Sequence, residues 1–118
     1  MKTSYFANVK YINPCLVSVA LTCPIRGIRA YPKLFPPVSL LRYFKYSRDA
    51  ESIRIKTYTS EYNQMLKTLD PKLVYAELGE DAILLCWEGR NNFCHRRLIA
   101  GWFLSELGIM VPEVEGRI

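Results

Sequence analysis

Between Glu88 and Arg97 this chain gathers the side chains best suited to chemistry. Leu84-Leu85-Cys86-Trp87-Glu88 is an apolar run that ends in a carboxylate, and Gly89-Arg90-Asn91-Asn92-Phe93 is a short polar loop. Cys94-His95-Arg96-Arg97 then sets a thiol, an imidazole and two guanidinium groups side by side at the head of an amphipathic run. His95 is the only histidine in the chain. Strand, loop and helix start is the geometry that turns backbone N–H groups toward an anion.

Each residue of the run has a chemical reading. A thiol at a helix N-terminus beside cations loses its proton readily, which makes Cys94 a candidate nucleophile. His95 suits a general base, a metal ligand or a hydrogen-bonding anchor. Glu88, at the strand end, can orient its neighbours or act as acid or base. Arg96 can clamp an oxyanion through paired donors, with Asn92 contributing from the loop. Positive side chains at the positive end of a helix macrodipole cost about 0.3–1 kcal/mol each. A bound phosphate or carboxylate, or Glu88 itself, removes that cost. The plainer readings are a buried Cys94 packing under the loop, a structural His95, a Glu88–Arg96 ion pair and an Arg97 pointing into water.

The four cysteines fall as two pairs, Cys15 with Cys23 and Cys86 with Cys94. Zinc sites usually pair cysteines two to four residues apart, and neither pair does. If residues 16–22 form a strand, Cys15 and Cys23 sit roughly 25 Å apart at about 3.3 Å per residue. They then share neither a metal nor a disulfide. With no signal peptide expected, the chain reads as cytoplasmic, where reduced thiols are the default and a buried cysteine such as Cys86 behaves as a small hydrophobe. A metal site of Cys23, Cys94 and His95, with Glu88 as a fourth ligand, requires two loops to meet. Phosphatase-type cysteine chemistry has no support, because Asn92 stands where an arginine following Cys86 would be needed.

The elements that position these residues are legible in the apolar pattern. Residues 16–21 and 82–87 read as strands, the first apolar enough to be buried on both faces. Helices are expected over 39–46, from Asp49 to about Leu69, after Asp70-Pro71 and after Cys94. Ile55, Tyr58, Tyr62, Met65, Leu66 and Leu69 form a helical stripe that reads as core. Asp70 is a candidate N-cap, and Gly79 and Gly108 are candidate helix terminators. Residues 24–37 form a proline-rich loop carrying Arg26 and Arg29, and long ordered loops are often functional. Residues 109–114 are β-like but hold Pro112, which suits an edge. Residues 5–12 are ambiguous and suit a further edge strand.

Alternating strands and helices over residues 1–118 predict one α/β layered domain with a small, mostly parallel sheet flanked by helices. At 118 residues with half of them hydrophobic, the chain is built to fold around one core. Ligands of such sheets sit beyond the carboxyl ends of the strands. If the two strands are neighbours, Cys23, Arg26 and Arg29 from one loop converge with Glu88, Asn91, Asn92, Cys94, His95 and Arg96 from the other. The formal charge of +5 favours acidic partners. The basic residues are scattered, however, and form no dense nucleic-acid arm. No apolar run is long enough for a membrane span.

Cys86-Trp87-Glu88, a short loop and Cys94-His95-Arg96 together resemble the phage and bacterial branch of the domain-of-unknown-function 488 family (DUF 488). Members show a strand ending in Cys, an aromatic residue and Glu, followed by Cys-His-Arg opening a helix. Similar matches run through Tyr5-Phe6-Ala7-Asn8, Tyr31-Pro32-Lys33-Leu34, Pro36-Pro37, Tyr75 to Leu78 and Leu107 to Glu113. The resemblance implies a Rossmann-like α/β fold and a site at the central motif. It implies no particular reaction.

The expected function is therefore a small enzyme or enzyme-like domain, with an anionic ligand such as a nucleotide or nucleic acid. Arg96 and the helix start hold the anion, with Arg26, Arg29 and Asn92 contributing. Cys94, His95 and Glu88 supply the chemistry, and no cofactor is specified. The alternatives are a non-catalytic module for a host protein or DNA, and the metal site of Cys23, Cys94 and His95.

Overall fold

The fold is organised around two short strands whose residues are almost all buried. A computed structural model describes residues 1–90 and 92–118. Asn91, expected beside the crevice, lies outside the described residues. The strands are β1 (Lys2–Tyr5), β2 (Leu16–Ser18), β3 (Arg29–Ala30) and β4 (Ile83–Cys86). They pair in the order β1-β4-β2-β3, every pair parallel. The helices are α1 (Val38–Tyr46), α2 (Glu51–Leu66), α3 (Pro71–Leu78) and α4 (His95–Leu107). This is the expected α/β layered domain, with an all-parallel sheet.

The central strands follow from composition. Leu16, Val17, Leu84 and Leu85 are fully or almost fully buried, as strands covered on both faces require. In register, Leu16 stands opposite Ile83, Val17 opposite Leu84 and Ser18 opposite Leu85. Both strands are shorter than their apolar runs suggest. After Ser18 the chain leaves the ladder, and Val19 makes one last bond to the Leu85 carbonyl. The Ser18 hydroxyl meanwhile hydrogen-bonds the Ala20 backbone.

The edges depart from expectation. The first edge strand is Lys2–Tyr5, ahead of the ambiguous segment, and a short 3-10 turn occupies Phe6–Asn8. Thr3 and Ser4 are buried despite their hydroxyls because each has a partner. Thr3 donates to Glu113 at 2.6 Å, and Ser4 accepts from Asn8 at 3.0 Å. The tail after Pro112 lies beside β1 through a single bridge from Thr3 to Glu113. The proline-rich segment contributes β3 and a 3-10 turn at Pro32–Leu34.

The helix ends behave as their sequences dictate. The Asp70 side chain accepts from the backbone N–H groups of Lys72 and Leu73, with Pro71 at the first helical position. Gly108 closes α4 at φ 67°, in the left-handed region where a side chain is unfavourable. On the α2 stripe, Tyr58, Tyr62 and Leu66 are buried. Helix α4 packs on β1 and β4 and against α2 and α3, which fixes its N-terminus beyond the end of β4. Among the described residues, no helix is long and apolar enough to cross a membrane.

Candidate functional site

Because β2 and β4 are neighbours, the segments that follow them face each other across a cleft of about 550 Å³. Ala20, Leu21 and Thr22 line one side, and Cys86, Trp87 and Glu88 line the other. Cys94 and His95 enter from the start of α4. Leu41, Phe44 and Lys45 of α1, Arg54 and Tyr58 of α2, and Phe93 complete the walls. The two strands are neighbours, as the expected crevice required, but Cys23, Arg26 and Arg29 from the first loop are not among its walls, and α1 and α2 add a wall that sequence reasoning missed.

Cys86 and Cys94 are joined by a disulfide at the base of this cleft, whereas Cys15 and Cys23 are free. This corrects the expectation of reduced thiols and of Cys86 as a simple hydrophobe. Cys86 is the last residue of β4 and Cys94 the residue before α4. Both are nearly inaccessible, at 0% for Cys86 and 3% for Cys94.

His95 is buried and neutral. Its Nε2 lies 2.7 Å from the Val19 carbonyl oxygen, which can only accept, so Nε2 carries the hydrogen. Nδ1 therefore presents a lone pair, 3.7 Å from the Cys94 sulfur. Burial pushes the imidazole pKa down to about 4. The bond to Val19 opposes that shift, and the Arg96 charge adds to it. The Tyr62 ring stands edge-on to His95 at 5.4 Å.

Arg96 does not face the cleft. It is fully buried, and all five of its N–H donors have protein partners. Nε and Nη2 hold Glu113 through bonds of 3.1 and 2.8 Å. Nη1 donates to the Glu88 carbonyl at 2.7 Å and to the Cys86 sulfur at 3.0 Å. Nη2 also donates to the Gly89 carbonyl at 3.2 Å. The expected oxyanion clamp is thus a brace that ties the loop after β4 to the C-terminal tail. The expected Glu88–Arg96 ion pair is corrected too, since Glu88 offers its backbone and Glu113 its carboxylate. Glu113 offsets the Arg96 charge at the positive end of α4. Burial raises the Glu113 pKa, but the hydrogen bonds from Arg96 and Thr3 and the charges of Arg96 and Arg97 outweigh it and hold it low.

The other expected ligand contacts lie elsewhere. Arg29 donates to the Glu77 and Leu78 carbonyls at the end of α3. Arg26 and Asn92 are exposed and stand apart from the cleft walls. Cys23 is exposed, with its thiol donating to the Ile25 carbonyl at 3.3 Å. Among the described residues, the metal-capable group is Cys86, Cys94 and His95. The set of Cys23, Cys94 and His95 is not assembled.

The upper cleft is aromatic with charges at its rim. Phe93 packs against Tyr58 at 5.2 Å and Phe44 at 5.4 Å. Trp87 packs edge-on against Phe6, and its indole N–H donates to Thr22 across the cleft. Burial raises the Tyr58 pKa, and the Glu88 carboxylate raises it further. Arg54 donates to the Phe44 and Asp49 carbonyls, while Lys45 is exposed. Compared with known protein families, curated proteins and solved structures, the chain matches none.

Proposed function

We infer that this chain is a small enzyme or enzyme-like domain that carries out thiol–disulfide exchange on a ligand held in the cleft. One observation carries the reading: Cys86 and Cys94 share a disulfide at the base of a cleft walled by two strand ends and a helix start. In the reduced protein the Cys94 thiolate attacks one sulfur of a ligand disulfide. A Cys94–ligand mixed disulfide forms, and the first ligand thiolate leaves and takes a proton from water. The Cys86 thiolate then attacks the Cys94 sulfur and expels the second ligand thiolate. The protein loses two electrons to the ligand and returns to its Cys86–Cys94 disulfide.

The neighbouring groups suit those roles. Cys94 is the slightly more exposed residue of the two and lies at a helix N-terminus, which favours its thiolate. The His95 Nδ1 lone pair orients the Cys94 S–H. The Arg96 N–H aimed at the Cys86 sulfur favours its thiolate as attacking or leaving group. The aromatic walls favour a ligand with an apolar body, and Lys45 and Arg54 favour an anionic group on it. A reducing compartment such as the cytoplasm would supply the dithiol form. The resemblance to the domain-of-unknown-function 488 family points to the same residues and names no reaction.

Trapping tests the reading. Cys86→Ser leaves Cys94 without its resolving partner, so incubation with oxidised glutathione should leave a stable adduct on Cys94 alone, seen by peptide mass spectrometry. A folded Cys86→Ser protein whose Cys94 stays unmodified while Cys23 reacts would overturn it.

A further inference from the structure

We propose that the reduced pair, together with His95, forms a three-ligand site for a thiophilic divalent cation such as zinc, with the fourth position open to the cleft. The Cys86, Cys94 and His95 donor atoms all lie within 4.8 Å of one another. Bond lengths near 2.3 Å to sulfur and about 2.0–2.1 Å to nitrogen put tetrahedral neighbours about 3.6 Å apart for sulfur and nitrogen. The Cys94 sulfur and His95 Nδ1 are already 3.7 Å apart. The Cys86 and Cys94 Cα atoms are 7.3 Å apart, wider than the about 4.4–6.8 Å that most disulfides span. Two thiolates on one metal, with sulfurs about 3.8 Å apart, fit that wider frame.

The surroundings match those of a ligand set. Metal-binding imidazoles usually donate their second N–H to a carbonyl or carboxylate, which fixes the tautomer. His95 donates Nε2–H to the Val19 carbonyl and leaves Nδ1 free for a metal. Arg96 donates to the Cys86 sulfur, the kind of outer bond that supports a thiolate ligand. Charge balances as well. Arg96 is neutralised by Glu113, and two thiolates neutralise a dication, so the buried site carries no net charge. Two thiolates without a cation would repel each other there. Two cysteines and one histidine with an open position is a pattern of catalytic rather than structural zinc.

The disulfide and the metal exclude each other, so oxidation releases the cation. Reduction by a phosphine, which takes an oxygen atom from water as the disulfide gains two electrons and two protons, restores the ligands. Binding the cation then releases the two thiol protons. The site uses the same reduced cysteines as the exchange reaction but does not depend on that reaction. The two readings fail separately, because adduct trapping on Cys94 needs no metal.

The test is titration of the phosphine-reduced, anaerobic protein with Co²⁺, followed by displacement with Zn²⁺. The expected result is one equivalent bound with a thiolate-to-cobalt charge-transfer band, and X-ray absorption showing two sulfurs and one nitrogen as protein ligands. Cys94→Ala should weaken binding beyond the about 10–100-fold that an outer-shell partner is worth. His95→Gln, which keeps a donor for Val19, should shift the visible bands. A double variant, Cys15→Ser with Cys23→Ser, should bind as the parent does. A folded, reduced protein without the band overturns the proposal. So does a band that survives Cys94→Ala and vanishes in the Cys15/Cys23 variant.

Discussion

Replacing Arg96 by methionine keeps much of the side-chain volume and removes the guanidinium, which separates a brace from an anion clamp. The structure sets the magnitude. Glu113, only 17% exposed in its side chain, loses both charge-assisted bonds. The carbonyls of Glu88 and Gly89 lose their donors as well. Breaking a buried pair by removing one partner costs about 3–5 kcal/mol. Unfolding entropy of about 2.1 cal/mol/K per residue makes each kcal/mol worth about 4 °C for a chain of this length. Arg96→Met should therefore lower Tm by about 12–20 °C in a calorimetric or circular-dichroism melt. Glu113→Gln should lower it less, because Arg96 keeps its bonds to Cys86, Glu88 and Gly89. The melts are run with and without inorganic phosphate. A brace predicts that any phosphate effect is the same in both proteins. A small Arg96→Met loss, under about 4 °C, combined with a phosphate stabilisation seen only in the parent protein, would refute the brace and restore the clamp.

Acid should expose the same brace. The Glu113 pKa is lowered by folding, so its contribution is complete above the ordinary carboxylate value of 4.5 and is lost as pH falls through the lower folded value. Glu113→Gln should flatten stability against pH in that window, as read by urea denaturation at a series of pH values; an unchanged acid limb would count against the pairing. Tyr62→Phe removes the hydroxyl that donates to the Leu34 carbonyl at 2.7 Å. It should cost about 1–3 kcal/mol, because a buried acceptor is left unpaired, and equal urea midpoints would contradict that. Asp70→Ala removes the cap on α3 and should cost about 1 kcal/mol, with the same assay deciding.

The parts of the fold written in local pattern were legible. Leu16–Val17 and Leu84–Leu85 announce buried strands because apolar side chains fill both faces. Asp70-Pro71 and Gly108 mark helix ends because capping and positive φ select those residue types. β1 was obscured because Thr3 and Ser4 are polar, and their burial depends on Glu113 and Asn8. Two-residue β3 leaves no periodicity to detect in a segment dense with proline. At the site, the Cys94-His95-Arg96 run located the helix start at the cleft. The role of Arg96 was hidden because its partner Glu113 lies in the tail, where no spacing rule connects them. The Cys86–Cys94 disulfide was hidden because reduced thiols are the cytoplasmic default and the spacing of the pair fits no zinc pattern. A strand-to-helix reversal brings residues together at separations that no zinc rule includes. Tyr58 read as core from its stripe, and it is both buried and a wall of the cleft, a dual role that periodicity alone does not distinguish.

Whether Cys86 and Cys94 act as one redox pair is read by equilibrating the protein across a series of glutathione ratios, alkylating it, and mapping the modified cysteines by mass spectrometry. Cys86 and Cys94 should gain and lose the alkylating label together, as a single two-electron step, while Cys15 and Cys23 follow neither. Independent labelling of Cys86 and Cys94, or a folded protein in which both remain thiols at every ratio, would contradict it.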